Sequence, residues 1–448
     1  MRVPVILAVP AHDTFRAAAL ASVGDMSAGL DIGAAPSYPG VELDAAFAPV
    51  PFGEGPSAAM ASFEAISSPK FAVRGHVEVD TIADMPETAG EAVIYSDPHI
   101  TPLVPTCGGT PPVGNAQTVA NKLSLARLAA KQLDGTDVAI AIVDTGINSV
   151  FLANQRGVPH KLDVAASWSP PGAPPPLPGQ WSVAHGTMCA FDVLIAAPNA
   201  TLIDVPVLSG NYPGGGSIMS GTLSGALAAF SYLMQSWSSG ALSAYKALVA
   251  NNSWGIFHQS WDFPVGHPGR FCDNPNHPFN IQVGAAVNAG IDVIFAAGNC
   301  GAPCADSRCQ GVTTQVIMGA SAMQAVLTIA GCDTNDLRVG YSSQGPSIAN
   351  MYQHKPDITG YTHFLGSEAF GVGSPDSGTS AACPVIAGCV AALRTSATAS
   401  PKGTLSPTAL FNALRANARQ AHGTAGAWNG DYGFGIIDLN KTVAALNL

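Results

Sequence analysis

Four polar residues, Asp144, His185, Ser380 and Asn299, have the side-chain chemistry of a nucleophilic site. Asp144 and Asn299 each follow an apolar run, whereas His185 and Ser380 each stand at the start of a helix-like segment. A serine hydroxyl attacks efficiently when a histidine accepts its proton and a carboxylate orients that histidine. An amide N–H can donate to the oxyanion that develops on the attacked group. Together the four residues predict a hydroxyl nucleophile with its base, its orienting acid and an oxyanion donor.

Each of these residues also has an ordinary structural interpretation when taken alone. Asp144 suits a turn or a cap, His185 a loop, and Ser380 a helix cap. Asn299 suits a left-handed residue that closes a strand. The combination in the chain order Asp, His, Ser favours the catalytic interpretation.

The elements that must position these residues form an alternating pattern from about residue 117 onward. Most of the apolar runs lack polar alternation, as strands buried in a parallel sheet do. Strand–helix alternation predicts a doubly wound, mainly parallel α/β sheet with its site outside the carboxyl ends of the strands. We therefore expect the four side chains to converge there, within hydrogen-bonding reach. The predicted strands are Val138–Val143, Thr201–Leu208, Ala247–Asn251, Val293–Ala297 and Val326–Ala330, and the predicted helices are Thr118–Leu133, Thr187–Ile195, Thr222–Ser236, Asn280–Ala289 and a segment that runs from Ser380 to about Leu393.

Residues 1 to about 105 differ in pattern and predict a small α+β domain. Val3–Val9 and Ala92–Tyr95 are apolar, Phe71–Val79 alternates as a half-buried strand does, and Phe15–Val23 is helix-like. The stretch from 101 to 116 is rich in proline and glycine and predicts a linker, which we bound at 106–116. The remainder, 117–448, is the predicted main domain.

Composition limits the classes of function. The 448 residues are 47% hydrophobic and 11% charged, which excludes a disordered chain. The net charge of −11 opposes binding to nucleic acid. There is no apolar run long enough for a membrane span. The proline-interrupted N-terminal run Val3–Ala11 favours a strand over a signal peptide, so a cytoplasmic location is slightly favoured over secretion.

The nine cysteines are expected to be reduced thiols by default. Cys300, Cys304 and Cys309 cluster just after Asn299 and leave three alternatives open. They could bind zinc with Cys332 or Asp306 as a fourth ligand, form one disulfide with a free thiol, or remain plain thiols. We expect plain thiols, and we expect Cys189 and Cys383 to act as small buried hydrophobic residues.

The sequence around the four polar residues resembles the signature blocks of the subtilases, the subtilisin-like serine peptidases. The similarity extends from about residue 117 to 448 and rests on Asp144-Thr145-Gly146, His185-Gly186-Thr187, Ala296-Ala297-Gly298-Asn299 and Gly378-Thr379-Ser380 with Ala382 and Pro384. The resemblance implies a subtilisin-like fold and a serine endopeptidase that hydrolyses peptide bonds through an acyl-enzyme. It implies Asp144 as the orienting acid, His185 as the general base and then acid, Ser380 as the nucleophile, and Asn299 as the oxyanion donor.

The resemblance also implies substrate contacts. Ser253-Trp254-Gly255 is similar to the family's substrate-aligning strand, which pairs with an extended peptide. With Ala296, Ala297 and Gly298 it would line the primary specificity pocket. Core packing is an equally good interpretation of Trp254.

The chain departs from many subtilisins after the histidine helix. Ala196 to Thr201 leads directly into the next strand, without the asparagine-rich calcium loop that many members insert there. We therefore predict no calcium at this place, no catalytic metal and no cofactor.

Residues 1–105 stand where subtilases have a propeptide, and Val93–Ile100 is similar to the end of such propeptides. The resemblance implies an intramolecular inhibitor that is processed in the linker; an unrelated accessory domain is the alternative. The expected partners are a peptide or protein substrate and this N-terminal domain, on a monomer that binds neither nucleic acid nor membrane.

Three other functions compete with a general endopeptidase. A sedolisin shares the serine block but uses Glu in place of His185 and Asp in place of Asn299. A maturation protease would cut one precursor peptide, and a catalytically silent subtilase would only bind peptides. The intact set of four polar residues argues against the sedolisin and silent alternatives.

Overall fold

A computed structural model describes residues 1–24, 29–53, 70–103, 111–170, 177–210, 219–401, 403–421 and 426–448. The linker predicted at 106–116 and the proline-rich stretch 170–178 therefore lie partly outside the described residues. We call residues 1–103 the N-terminal unit and residues 111–448 the C-terminal unit. Among the described helices, none combines the length and the hydrophobicity needed to cross a membrane.

The N-terminal unit is an antiparallel sheet with one helix packed on it. Strand β1 pairs with β4 on one side and β6 on the other, in the spatial order β2-β4-β1-β6-β5, with β3 also on β4. The expected strands of this region are present. The elements are β1 (Arg2–Pro10), α1 (Asp13–Gly24), β2 (Val41–Leu43), β3 (Val50–Phe52), β4 (Lys70–Glu78), β5 (Thr88–Ala89), β6 (Ala92–Ser96) and β7 (His99–Pro102).

The alternation of β4 explains how the sheet packs on both faces. Phe71 and Val73 face a core under α1, whereas Ala72 and Phe52 of β3 face the C-terminal unit. There they join a cluster that includes Phe230. The two units thus share apolar surface, which favours their association.

The C-terminal unit is a doubly wound α/β structure, as the alternation predicted. Its seven-stranded sheet is parallel throughout, in the order β16-β15-β14-β12-β8-β10-β9. The seven strands are β8 (Val138–Val143), β9 (Lys161–Leu162), β10 (Thr201–Val205), β12 (Ala247–Asn252), β14 (Ile291–Ala296), β15 (Leu327–Cys332) and β16 (Ile358–Tyr361). Outside this sheet, β11 (Gly221–Thr222) and β13 (Trp254–Gly255) pair with β7, and β17 (Phe364–Leu365) pairs with β18 (Pro375–Asp376).

The helices lie on both faces of this sheet. They are α2 (Ala116–Lys122), α3 (Leu125–Ala130), α4 (Ser149–Arg156), α5 (His185–Ala196), α6 (Leu223–Ser238), α7 (Pro278–Asn288), α8 (Thr379–Arg394), α9 (Pro407–Asn417) and α10 (Leu439–Leu446), with 3-10 turns at Ile82–Asp84, Gln259–Trp261, Ser307–Cys309, Gly319–Ala322 and Ala397–Ala399.

Two expectations about elements are wrong. The single helix expected at Thr118–Leu133 is two helices, because Ser124 has a left-handed φ of 57° between them. The linker-like pattern beginning at 101 does not prevent Thr101 and Pro102 from forming part of β7. Strand β7 pairs with β11 and β13 of the C-terminal unit. Pro102 is therefore part of a strand because of this tertiary pairing, although the local sequence pattern is that of a linker.

The strand order turns at β8, which lies between β10 and β12. After β8 the chain forms β9 and β10 on one side of that strand, and it then crosses to form β12, β14, β15 and β16 on the other side. A crevice opens at the carboxyl ends of the strands where such an order reverses. Asp144 follows β8 directly at that point.

Candidate active site

Asp144 and His185 form a fully buried pair. The Nδ1 of His185, the first residue of α5, lies 2.8 Å from Oδ1 and 2.9 Å from Oδ2 of Asp144. Both side chains are wholly shielded from solvent. The backbone N–H of Thr145 also donates to Asp144 Oδ1, at 2.7 Å. The carboxylate therefore fixes the imidazole with Nδ1 toward it and leaves Nε2 available as a proton acceptor.

Ser380 stands in the first turn of α8, and Pro384 explains its unusual backbone environment. Proline has no N–H, so the Ser380 carbonyl lacks its helical partner four residues on. The Ser253 hydroxyl donates to that carbonyl at 3.1 Å instead. Ser380 is thereby tied to the end of β12.

The helices of His185 and Ser380 pack closely because Gly388 has no side chain. A Cβ at Gly388 would lie 2.2 Å from the Val193 carbonyl oxygen of α5. Such a contact is impossible for real atoms, so another residue there would force α5 and α8 apart. The glycine thus keeps the helices that begin near His185 and Ser380 in close contact.

Asn299 uses its two amide atoms in different ways. Its Oδ1 accepts from the Thr379 backbone N–H at 2.9 Å and from the Thr379 hydroxyl at 3.1 Å. Its Nδ2 donates to the backbone carbonyl of Leu103. Thr379 therefore holds the amide so that its N–H group points at a carbonyl of the N-terminal unit.

The Leu103 carbonyl oxygen also lies 2.8 Å from Ser380 Oγ, and the Ser253 carbonyl lies 3.1 Å from the same hydroxyl. The hydroxyl proton can point to only one of these oxygens at a time. His185 Nε2 is buried and has no hydrogen-bond partner among the described residues. The expected convergence is therefore partly observed. Asp144 and His185 are hydrogen-bonded, and Asn299 and Ser380 meet at one carbonyl oxygen. The expected hydrogen bond between His185 and Ser380 is not formed in this arrangement.

The expected substrate-contact residues surround the segment His99–Leu103, which we call the tail segment. Its strand β7 pairs with β13, Pro102 opposite Trp254 and Thr101 opposite Gly255. The N–H of Leu103 donates to the Ser253 carbonyl at 3.1 Å.

Leu103 is buried and borders a pocket that is lined mostly by apolar residues. Besides the expected Trp254, Gly255, Ala296, Ala297 and Gly298, the lining residues include Ile256, Phe257, Phe295, Val316, Met318 and Ala320.

Trp254 combines the two roles that its sequence context left open. Its backbone pairs with the tail segment, whereas its indole is 2% exposed and packs against Phe279 and Phe295. The indole N–H donates to the Val143 carbonyl at 2.9 Å. Most of its side chain is therefore core.

The cysteine cluster differs from the expected plain thiols. Cys300 and Cys309 form a disulfide with their Cα atoms 5.7 Å apart, and Cys304 is disulfide-bonded as well. The expectation failed because local spacing does not report which Cβ atoms approach each other after folding. The thiols of Cys189, Cys272, Cys332, Cys383 and Cys389 are free and buried.

Cys189 lies closer to the chemistry than its expected role suggests. Its Sγ is 3.6 Å from Asp144 Oδ2 and 3.7 Å from the Ser380 carbonyl oxygen. Burial, and then the Asp144 charge, raise the pKa of this thiol well above its usual range. It therefore stays protonated and acts as a weak donor to the carboxylate.

Sequence reasoning missed a pair of acids beneath the site. Asp192 of α5 and Asp376 of β18 are buried next to each other, and burial raises the pKa of both, to about 6 for Asp376. The Asp192 carboxyl accepts no hydrogen bond from the described residues, whereas Asp376 accepts from the backbone N–H and the hydroxyl of Ser367. A shared proton is the arrangement that satisfies both groups.

One comparison with known proteins identifies a family. The model of the subtilase family matches residues 135–435, which is more than half of the chain and includes Asp144, His185, Asn299 and Ser380. No curated protein matches the sequence.

Proposed function

The chain belongs to the subtilase family, which implies a serine-type peptidase, and from that premise we propose that it is an endopeptidase using Ser380, His185, Asp144 and Asn299. One observation supports the proposal above the others. The Ser380 hydroxyl and the Asn299 amide both contact a single carbonyl oxygen, that of Leu103. A nucleophile attacks the carbon of a carbonyl group and an oxyanion donor binds the oxygen of the same group, so the two must meet at one carbonyl.

In the proposed reaction the Ser380 hydroxyl turns from these backbone oxygens to His185 Nε2 and gives up its proton. Its Oγ attacks the carbonyl carbon of the scissile bond, and the oxygen becomes an anion that the Asn299 N–H stabilises. Collapse of this tetrahedral intermediate expels the amine, which takes the proton from the His185 imidazolium. Water activated by the same imidazole then hydrolyses the acyl-enzyme.

We further propose that the N-terminal unit is the intramolecular inhibitor of this site. The tail segment enters the cleft as an extended strand between β11 and β13, which is the backbone pairing that a peptide substrate uses. Leu103 then stands at the position of the residue before the cut, with the bond to Val104 as the processing site. The apolar pocket around Leu103 supports a preference for apolar residues at that position.

The buried polar contacts between the two units support the same proposal. Asp97 accepts from the Ser224 N–H and hydroxyl, each at 2.7 Å, in the first turn of α6. A carboxylate is favourable at a helix N-terminus. Arg74 lies 3.3 Å from the same carboxylate, and Ser96 is hydrogen-bonded to both Gly269 and His277. These contacts position the tail segment.

A covalent probe tests the proposed nucleophile. We expect a fluorophosphonate to label the processed protein on Ser380, and Ser380→Ala to abolish labelling and peptide hydrolysis while the thermal transition stays intact. N-terminal sequencing is expected to place the mature N-terminus next to Leu103.

Three results would count against the proposal. Absence of label after demonstrated removal of residues 1–103 would favour a peptide-binding protein. Cleavage of one precursor only, in a peptide library, would favour a maturation protease. An active protein that retains Met1 would contradict the inhibitor role.

A further inference from the structure

The loop that follows Asn299 has a basic side chain that contacts the tail segment. Arg308 Nη1 lies 3.1 Å from the backbone carbonyl oxygen of Pro102 and 3.3 Å from the hydroxyl of Thr101. Both oxygens accept from the guanidinium. These contacts lie outside the β7–β13 pairing, so they add to the backbone recognition already described.

Three features fix the Arg308 guanidinium in this position. Asp306, which is 1% exposed, accepts from Nε at 2.9 Å and from Nη2 at 2.8 Å. The Phe257 ring lies beneath the guanidinium, with its centroid 3.7 Å from the central carbon. The Cys300–Cys309 disulfide closes the loop. A side chain that is already ordered loses little entropy when it binds a ligand.

The forked shape of arginine matters for this geometry. Nε and Nη2 are directed to the carboxylate of Asp306, and Nη1 remains for the tail segment. A lysine ammonium is a point charge and cannot make this divided set of contacts. The Asp306 carboxylate also offsets the charge of the guanidinium. Recognition of the tail segment therefore depends on the direction of the Nη1 hydrogen bonds.

We propose that Arg308 is a substrate-binding residue that selects peptides with an oxygen acceptor on the third residue before the cut. The inference rests on the proposed function, since it takes the tail segment as a template for substrate. In that template Leu103 precedes the cut, Pro102 is second and Thr101 third. The carbonyl contact serves any peptide, whereas the hydroxyl contact depends on the side chain.

Two peptides and a set of variants test this selection. The peptides contain Ile-Thr-Pro-Leu or Ile-Val-Pro-Leu before the cut, and valine matches threonine in shape without its hydroxyl. Processed wild-type protein is expected to cleave the threonine peptide roughly threefold to tenfold better in kcat/KM. In Arg308→Met we expect the threonine peptide to lose roughly tenfold, mainly through a higher KM, and the ratio between peptides to fall to about one.

Three further variants separate recognition from folding. Arg308→Met with Asp306→Asn avoids leaving a buried carboxylate unpaired, and it should show the same loss of discrimination. Arg308→Lys keeps the charge and should recover only part of the effect. Arg127→Met, on the exposed surface of α3, should behave as wild type.

A measurement without turnover keeps the inference separate from the proposed function. The Leu103 amide donates to the Ser253 carbonyl, so its hydrogen exchange in full-length Ser380→Ala protein is expected to report how firmly the tail segment is held. Adding Arg308→Met should speed that exchange roughly tenfold, whereas adding Arg127→Met should not.

Unchanged exchange together with an unchanged peptide ratio would overturn the role of Arg308. Absent hydrolysis and absent labelling with faster exchange would instead overturn the endopeptidase proposal and leave Arg308 as a peptide-binding residue.

Discussion

In the candidate active site, the Asp144–His185 pair is completed within the C-terminal unit, whereas Ser380 and Asn299 contact the carbonyl of Leu103 in the N-terminal unit. The first half has its hydrogen bonds, and its Nε2 meets no hydrogen-bond partner in the described part of the chain. The second half has its donors directed at an oxygen that a substrate would supply. The Ser380 hydroxyl is thus engaged by backbone oxygens of Leu103 and Ser253, whereas the His185 Nε2 that it would meet in the proposed reaction lies without a partner among the described residues.

Among variants that keep Ser380, the largest effect is expected from removing the proposed oxyanion donor of the second half. Asn299→Ala should lower kcat of the processed protein by about two to three orders of magnitude, because the N–H that faces the developing charge is lost. The measurement is hydrolysis of a leucine-containing peptide, normalised to fluorophosphonate-reactive sites.

Thr379→Val is the matched control for this variant. It removes the hydroxyl that contacts Asn299 but keeps the amide donor, so we expect less than a tenfold loss. Equal losses in the two variants would mean that Asn299 acts only by holding α8.

A smaller effect is expected from dislodging the occupant. Leu103→Asp puts a charge into an apolar pocket and should speed fluorophosphonate labelling of the intact chain by roughly 10- to 100-fold, the equivalent of one lost apolar side chain. Leu103→Met, which conserves volume, should label as slowly as wild type. The rate is followed by intact mass, and identical rates for all three proteins would show that Leu103 does not shield Ser380.

The smallest expected effect concerns the two buried acids, Asp192 and Asp376. Asp192 lies on the helix that begins with His185, and Asp376 lies on the strand before Ser380, so each acid is attached to one half of the site. The folded-state pKa of each is raised, so their contribution to stability is present at low pH and is lost as pH rises, through about 6 for Asp376. Asp192→Asn keeps a donor for Asp376 and cannot ionise. It should raise the free energy of unfolding by about 1 kcal/mol at pH 8, and the gain should vanish toward pH 4.

Urea unfolding of the Ser380→Ala protein from pH 4 to pH 8 measures this effect without self-digestion. Asp80→Asn, at an exposed position, should leave the pH dependence unchanged. Burial raises the pKa of Asp204 to about 7, and this residue contributes equally to the pH dependence of stability in all variants. An Asp192→Asn profile parallel to that of the parent would mean that the pair does not titrate as one unit.

The sequence determined the alternating architecture and the identity of the four polar residues, because strand and helix periods and short motifs are local properties. Continuous apolar runs such as Val138–Val143 can form buried parallel strands, and a polar residue directly after one must lie at the carboxyl edge of the sheet. That reasoning located Asp144 and Asn299 correctly.

Tertiary structure alone decided what those residues meet. Leu103 reaches Ser380 across 277 positions, and Asp192 meets Asp376 although neither has a distinctive motif. The Cys300–Cys309 bond and the Arg308 contact with Pro102 likewise depend on how the loop folds over the cleft. Pairings of this kind arise from the packing of whole elements, and no local period in the sequence encodes them.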